Sequence, residues 1–439
     1  MSAVSRGSSD SFRTLNGIKF YFSRRPHQMM ATGLIIWAFM MFLAIFVVYR
    51  RGFFLGLDHP ENSFLPHPSA RFGDFNLTFN EWRQLGFGTV GYGMSYFPAM
   101  YIPVHLLFRL FGDESESALI FVRYVTLLAT SSLILWSLRR VGFFGSIIAL
   151  VLVLLSYPYL LVLQTGNLES VVVVLLVAAG ILSQNRAWHL FGATIGLAAA
   201  MKGAPAIFFA LPFFYVDVRT GLKSLVSGAS TAVVVSLTPL LLWSEGFRYG
   251  GLEGITGAVR AIRASQAMYT ELMVNSAAGI HYGHSLLNAI HAVFGMEFMA
   301  SQTFGVPVFV VVTTLGLFSM DRARRRGNSL GVHLAVLGAT SCLAPATSTD
   351  YKLLALVPAL LVLADRNPEL TKGERLIFCL IILAMAPKPY FRVGFDPWGY
   401  ATVYGTALLL LGILLFPLIS DIHKKRFGPV YSIRWWNRG

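Results

Sequence analysis

Apolar residues form long runs that carry few charges, and these runs recur almost to the C-terminus of the chain. A helix of about 20 apolar residues crosses the hydrocarbon core of a bilayer. The pattern therefore predicts an all-α, polytopic integral membrane protein with about twelve transmembrane helices. The predicted spans are 30–48, 118–138, 142–158, 168–183, 188–202, 204–217, 222–243, 303–319, 329–346, 352–365, 374–387 and 399–420.

Composition and charge agree with this prediction and set an orientation. Hydrophobic residues make up 55% of the chain and charged residues 13%, whereas soluble domains carry about 25% charged residues. Most of the 35 lysines and arginines fall in segments that become cytoplasmic if the N-terminus is inside, as the positive-inside rule requires. We therefore expect a multi-pass cell-membrane protein with a cytoplasmic tail at 1–29, a transmembrane domain at 30–420 and a basic cytoplasmic tail at 421–439.

The net charge of +14 is explained by these loops and by lipid headgroups, and no nucleic-acid-binding module accompanies it. The chain carries no phosphate-binding loop, dinucleotide fingerprint or metalloprotease motif, so nucleotide hydrolysis has no support. Two cysteines, Cys342 and Cys379, both lie in apolar runs, which argues against a structural disulfide or a thiolate metal site.

Two predicted outer loops, 49–117 and 244–302, are too long to be simple connections. Both contain many aromatic residues, glycines and histidines, a composition unlike that of disordered segments. The apolar stretch 96–111 is predicted to be a helix lying in the membrane interface, with Arg109 reaching the headgroups. These loops are therefore expected to be functional segments on the extracytoplasmic side.

Asp74 is the first candidate for chemistry in the first outer loop. It is flanked by Phe72 and Phe75, and a carboxylate at the boundary between water and lipid can deprotonate an acceptor hydroxyl as a general base. The alternative is a solvated loop acid or a cap of a following helix. Asp58 and Glu61 are rival acids in the same loop.

Polar residues at other predicted outer helix ends are candidates for substrate binding. Asn167 and Glu169 follow a Gly-Asn turn, so they either bind sugar hydroxyls or simply cap and begin a helix. Lys202 and Lys352 either snorkel toward the interface or neutralise a lipid phosphate. Asp350 is a further candidate for sugar or acceptor binding, unless it pairs with Lys352 or caps the helix.

The second outer loop offers two basic pairs. Arg260 and Arg263 are spaced to share one helix face, and we expect them to contact the donor phosphate. His281 and His284 are expected to bind sugar or acceptor hydroxyls. A metal site is not predicted, because no third ligand has a suitable spacing, although a divalent metal is not excluded.

Four segments in order resemble the GT-C superfamily of membrane glycosyltransferases, and within it the family-87 enzymes that use polyprenyl-phosphate mannose. The four segments are Gly73-Asp74-Phe75, Tyr96-Phe97-Pro98-Ala99, the stretch from Gly166-Asn167-Leu168 to Ala200-Met201-Lys202, and Ala344-Pro345 to Tyr351-Lys352. Ala99 stands where the family carries a second proline, and Asp350-Tyr351-Lys352 replaces an aromatic-His-His stretch. Both departures bear on the identity of the sugar and the acceptor.

The resemblance implies an inverting transferase with Asp74 as catalytic base and Tyr96 among the sugar- or acceptor-binding residues. It implies a polyprenyl phosphate sugar as donor, a glycolipid or glycan as acceptor, membrane lipids as surroundings, and no cofactor. Two other functions remain open from the sequence: a flippase or transporter for lipid-linked sugars, and a polysaccharide polymerase or ligase. A transporter would place acidic residues and lysines within helices near the bilayer midplane, whereas most of the candidate acids and lysines here lie at the predicted outer rim.

Overall fold

The computed structural model describes most of the chain between residues 28 and 419. The described residues are 28–56, 58, 72–85, 90, 96–139, 141–242, 251–274, 283–294, 301–346, 348–366, 369–387 and 397–419.

The described part of the chain is helical, and its only β-type pairing is a single bridge between Gly283 and Thr349. The first eight α-helices are α1 (Gln28–Val48), α2 (Gly73–Leu85), α3 (Tyr101–Phe111), α4 (Ser115–Ser137), α5 (Phe143–Leu154), α6 (Tyr157–Thr165), α7 (Glu169–Gln184) and α8 (Trp188–Met201). The next eight are α9 (Val218–Leu242), α10 (Gly251–Val274), α11 (Leu286–Phe294), α12 (Ser301–Arg325), α13 (Leu330–Leu343), α14 (Val357–Asp365), α15 (Lys372–Met385) and α16 (Pro397–Ile419). Short 3-10 helices cover Pro98–Met100, Ala204–Phe214 and Asp350–Leu356, and a π-helix covers Tyr49–Phe53. The predicted all-α class is confirmed.

Four of the described helices are long and apolar enough to cross a membrane: Met29–Val48, Ser115–Ser137, Val218–Pro239 and Phe304–Arg325. They become five if α5 and α6, which are bent by 56° relative to each other, form one broken span. Shorter apolar helices coincide with several of the remaining predicted spans. The protein is therefore a helical membrane protein, and the count of twelve spans stays a prediction.

Two predicted spans differ in local structure. The span 142–158 ends early, because α5 stops at Leu154 and Pro158 stands in the first turn of α6, where proline is tolerated but cannot continue a preceding helix. The span 204–217 is a 3-10 helix containing Pro205 and Pro212. Prolines remove backbone donors, which explains why neither segment forms one continuous α-helix.

The centre of the bundle is formed by α13 and α14. Every residue of α13 from Gly331 to Leu343 is buried, as is α14 from Val357 to Ala364. By contrast, the outward faces of α1, α4, α9 and α12 expose large apolar side chains such as Phe42 and Leu128. Exposed apolar surface of this extent suits contact with lipid rather than water.

Small residues bring α8 and α9 into close contact. Gly192 and Gly196 of α8 face the backbone of Ser224 and Gly228 in α9, and a Cβ atom at either glycine would collide with a backbone oxygen. The Ser224 hydroxyl also donates to the Trp188 carbonyl at 2.6 Å. Such small-residue contacts are typical of helices that pack within membranes, and here they hold α8, whose far end carries Lys202.

Candidate active site

The short turn between α6 and α7 organises the site. Gly166 has a φ of +69°, a left-handed conformation that residues with a side chain rarely adopt. A Cβ atom at this position would lie 2.7 Å from Leu119 and 2.8 Å from Phe75. The turn therefore packs directly against Phe75 of α2. This packing brings Asn167, the residue after Gly166, next to Asp74, the residue before Phe75.

Asp74 lies in the first turn of α2 rather than in a loop, so the structure corrects its predicted setting. The Phe72 backbone N–H, just before the helix, donates to the Gln164 carbonyl of α6 at 2.9 Å. This bond ties the start of α2 to the end of α6. The Asn167 side-chain amide then donates from Nδ2 to Asp74 Oδ2 at 2.8 Å.

The surroundings of Asp74 suit a proton acceptor. Burial raises the pKa of its carboxyl above the ordinary value of 3.8, while hydrogen bonds from Asn167 and Thr165 and the positive charge of Lys202 act in the opposite direction. A raised pKa makes the ionised carboxylate a stronger base than a solvated aspartate. Perturbed carboxylates of this kind are concentrated at functional sites.

Asn167 connects Asp74 with two further residues of the site. Its Oδ1 accepts a hydrogen bond from the Tyr96 hydroxyl at 3.2 Å and another from the Glu169 backbone N–H at 2.9 Å. The second bond satisfies the N–H of Glu169, the first residue of α7. The N-cap position is occupied by Leu168, so Asn167 precedes the cap and does not form it. The amide orientation is thereby determined, because Oδ1 faces two donors and Nδ2 faces a carboxylate.

Lys202 ends α8 and points back toward these residues. Its Nζ lies 3.9 Å from Glu169 Oε2, 4.6 Å from the centre of the Tyr96 ring and 5.9 Å from the centre of the Tyr351 ring. The distance to Glu169 exceeds that of a hydrogen bond. Lys202 is therefore positioned by a carboxylate and two aromatic faces, with hydrogen-bonding capacity left for an anion.

A cavity of about 260 Å³ opens beside Lys202. Lys352 lines it as well, so two cations face the same space. The other lining residues are Phe97, Met201, Gly203, Ala204, Gln266, Tyr269, Thr270, Pro345 and Thr349. Asp74 does not line this cavity; it is connected to Lys202 through Asn167 and Tyr96.

Helix α10 contributes residues that the sequence analysis missed. Gln266, Tyr269 and Thr270 line the cavity, and the Tyr269 hydroxyl lies 3.1 Å from the Tyr351 hydroxyl. Their spacing of three and four residues puts them on one helix face. That polar spacing, in a predicted outer loop, is the signal that could have identified them.

His284 and Asp350 come together, but away from the cavity. The His284 Nδ1 lies 3.4 Å from Asp350 Oδ1, its Nε2 lies 3.1 Å from the Ser348 hydroxyl, and its backbone N–H donates to the Ser348 carbonyl at 2.9 Å. All three side chains are buried. They fasten the segment before α11 to the 3-10 helix that carries Tyr351 and Lys352, and this contact is the role their geometry supports.

Other candidates lie elsewhere. Arg260 and Arg263 are both exposed on α10 and do not line the cavity, and Arg260 Nε donates to the Thr256 carbonyl at 3.4 Å. Asp58 is exposed, whereas His281 and Glu61 lie outside the described residues. Within the described ranges, no group of three or more His, Cys, Asp or Glu side chains is arranged to hold a metal ion.

The fold and the site together define a helical membrane protein in which a desolvated carboxylate and two lysines converge at one end of the bundle, a combination typical of an enzyme site. Residues 96–345 match the profile of glycosyltransferase family 87. This match covers more than half of the 439 residues, and the chain belongs to that family. No curated protein sequence matches the chain.

The matched range contains Tyr96, Asn167, Glu169 and Lys202, but neither Asp74 nor Lys352. Asp74 accepts a hydrogen bond from Asn167. Lys352 lines the same cavity as Lys202. The two residues outside the family match are therefore spatial neighbours of the residues inside it.

Proposed function

We propose that this glycosyltransferase is an inverting enzyme that moves a sugar, with mannose as the first candidate, from a polyprenyl phosphate donor to a hydroxyl group of a glycolipid or glycan on the extracytoplasmic face. The observation that carries the proposal is the chain of contacts from Asp74 through Asn167 and Tyr96 to Lys202. These contacts connect the Asp74 carboxylate, which can accept a proton, with the Lys202 ammonium group, which can bind an anion.

The donor phosphate is assigned to the cavity between Lys202 and Lys352. A polyprenyl phosphate sugar carries one negative charge, and its phosphate gains a second when the bond to the sugar breaks. Two lysines on one small cavity stabilise that developing charge. The short apolar helix α8 ends at the cavity, and the prenyl chain is assigned to the lipid around the bundle while the phosphate stays in the pocket.

Asp74 is assigned the role of general base, which removes the proton from the acceptor hydroxyl group. The acceptor oxygen forms a bond to the anomeric carbon as the bond from that carbon to the phosphate oxygen breaks, and the bonding electrons leave with the phosphate. The hydroxyl proton passes to the Asp74 carboxylate. Attack opposite to the leaving phosphate inverts the anomeric carbon, and a leaving phosphate paired with lysines needs no general acid.

Glu169 is assigned the role of accepting a hydrogen bond from a hydroxyl group of the sugar or the acceptor. Its side chain is only 7% exposed, and Oε2 makes no hydrogen bond within the described part of the chain. A buried carboxylate oxygen without a donor is costly unless a ligand supplies one. A sugar hydroxyl at this point would also stand close to Lys202.

The direct test is an assay of the purified full-length protein in nanodiscs with labelled polyprenyl phosphate mannose and candidate acceptors. Asp74→Asn is expected to reduce transfer roughly a hundredfold or more, the effect typical of losing a general base. Asp58→Asn is the matched control, since it removes an exposed acid from the same region. Normal turnover by Asp74→Asn would refute the assignment, and transfer from nucleotide sugars alone would refute the donor class.

The stability of the same variant separates catalysis from folding. Because the folded-state pKa of Asp74 is raised, its ionisation in the folded chain costs stability as the pH rises from the unfolded-state pKa through the folded-state pKa. Asn cannot ionise and does not incur this cost. Asp74→Asn should therefore unfold at a temperature no lower than the wild type at neutral pH, while being inactive.

A further inference from the structure

A second polar cavity, of about 250 Å³, lies at the opposite end of the bundle from Asp74. Helix α7 begins at the active site with Glu169 and ends at this cavity with Gln184, a helix length of about 24 Å. The lining of this cavity includes Trp136, Arg139, Gln184, Asn185, Asp365 and Arg366. None of these residues takes part in the chemistry described above.

Three charged side chains line this cavity: those of Arg139 and Arg366 and the carboxylate of Asp365. Arg366 is shared with Glu374, whose Oε1 lies 3.5 Å from its guanidinium. Arg139 instead stacks over the Trp136 ring at 4.8 Å. Within the described residues, no carboxylate lies at ion-pair distance from Arg139. The amide side chains of Gln184 and Asn185 add hydrogen-bonding groups beside it.

An apolar stripe leads from this cavity along the outside of α4. Val125, Leu128 and Leu135 are exposed by 47%, 64% and 39%, and their spacing puts them on one face of α4. Arg139 lies in the turn just after α4, which ends at Ser137. Trp136, 47% exposed, stands between the stripe and the arginine, as tryptophans do at membrane interfaces. A charged pocket at the end of a lipid-facing stripe matches the two parts of a phospholipid.

We propose that this cavity binds the headgroup of an anionic phospholipid, in the leaflet opposite to the one that faces Asp74, with one acyl chain lying along the exposed face of α4. Arg139 contacts the phosphate, and Arg366 and the two amides contact the rest of the headgroup. Basic pockets between membrane helices are known to select lipids in this way. The apolar stripe favours a lipid over free phosphate, because free phosphate has no acyl chain that could contact the stripe.

Native mass spectrometry of the purified full-length protein tests this site by titration with phosphatidylglycerol and with phosphatidylcholine of the same chains. We expect the wild type to bind phosphatidylglycerol more tightly, and Arg139→Gln to weaken that binding about tenfold, as loss of one charge-assisted contact does. Arg219→Gln is the control, because Arg219 lies in the first turn of α9 at the same end of the bundle. It should leave binding unchanged.

Three results would overturn the proposal. Equal affinity for the two lipids would show that the cavity does not discriminate between headgroups. Equal losses in Arg139→Gln and Arg219→Gln would show a general effect of surface charge. Displacement of phosphatidylglycerol by millimolar inorganic phosphate in the wild type, but not in Arg139→Gln, would identify free phosphate as the ligand.

Discussion

Replacing Asn167 by Asp tests whether the ionisation of Asp74 controls the reaction. The new side chain has nearly the same shape and keeps an oxygen facing the Tyr96 hydroxyl and the Glu169 backbone N–H. It exchanges the Nδ2 donor, 2.8 Å from Asp74 Oδ2, for a second carboxylate oxygen. The variant thus retains the fold around the turn and changes one charge.

The size of the effect follows from this distance. Two unit charges 2.8 Å apart repel by about 6 kcal/mol at an effective dielectric constant of about 20. Relaxation to about 4 Å still leaves about 4 kcal/mol, which corresponds to roughly three pKa units. The apparent pKa of the pair of carboxyls therefore rises further above that of Asp74 alone.

The assay is the pH dependence of sugar transfer for the wild type, Asn167→Asp and Asn167→Ala. A general base acts only when deprotonated, so activity falls as the pH drops through its pKa, and this acid limb should move to higher pH by at least about one unit in Asn167→Asp. Asn167→Ala loses the same hydrogen bond but adds no charge. Asn328→Asp, in the turn between α12 and α13 at the opposite end of the bundle, adds the same charge far from Asp74 and should leave the profile unmoved.

Coincident acid limbs in the wild type and Asn167→Asp, both well folded, would refute the reasoning. Asp74 ionisation would then not limit the reaction, and another base would have to be sought. A shift of equal size in Asn167→Ala would show that the lost hydrogen bond, rather than the added charge, moves the profile.

Two further substitutions test the scaffold of the site. Gly166→Ala should lower the free energy of unfolding by about 2–4 kcal/mol, because it combines a left-handed backbone with steric clashes against Leu119 and Phe75. Gly257→Ala, in open space on α10, is the control and should have little effect. Equal melting temperatures of the two variants in detergent would contradict this prediction. Asp350→Ala should cost about 1–3 kcal/mol by removing the buried partner of His284, and a variant as stable as the wild type would show that this contact does not fasten the 3-10 helix.

The helices were predictable because the information for them is local. Apolar runs and turn residues predicted segments near most of the observed membrane helices, and Gly166-Asn167 correctly indicated a turn followed by the start of α7. The bend between α5 and α6 and the 3-10 helix at 204–214 were missed, although the prolines that cause them are visible in the sequence.

The contacts within the site were not predictable from local pattern. Asn167 and Asp74 are 93 residues apart in the sequence, and their pairing depends on the packing of the Gly166 turn against α2. The cavity-lining face of α10 depends likewise on where that helix lies. The sequence suggested four phosphate contacts because of their charge: Lys202, Lys352, Arg260 and Arg263. Only the three-dimensional arrangement shows that the two lysines face the cavity and the two arginines do not.

The charged groups of the site stand at helix ends, and most of them have the sign that the helix stabilises. Asp74 and Glu169 lie in the first turns of α2 and α7, and Lys202 ends α8, so the helix dipoles favour each charge. Lys352 is the exception, since it lies near the start of its short helix, where a cation is disfavoured. Local structure therefore accounts for three of the four charges but not for Lys352. The proposed donor phosphate, bound between Lys202 and Lys352, would supply the missing partner.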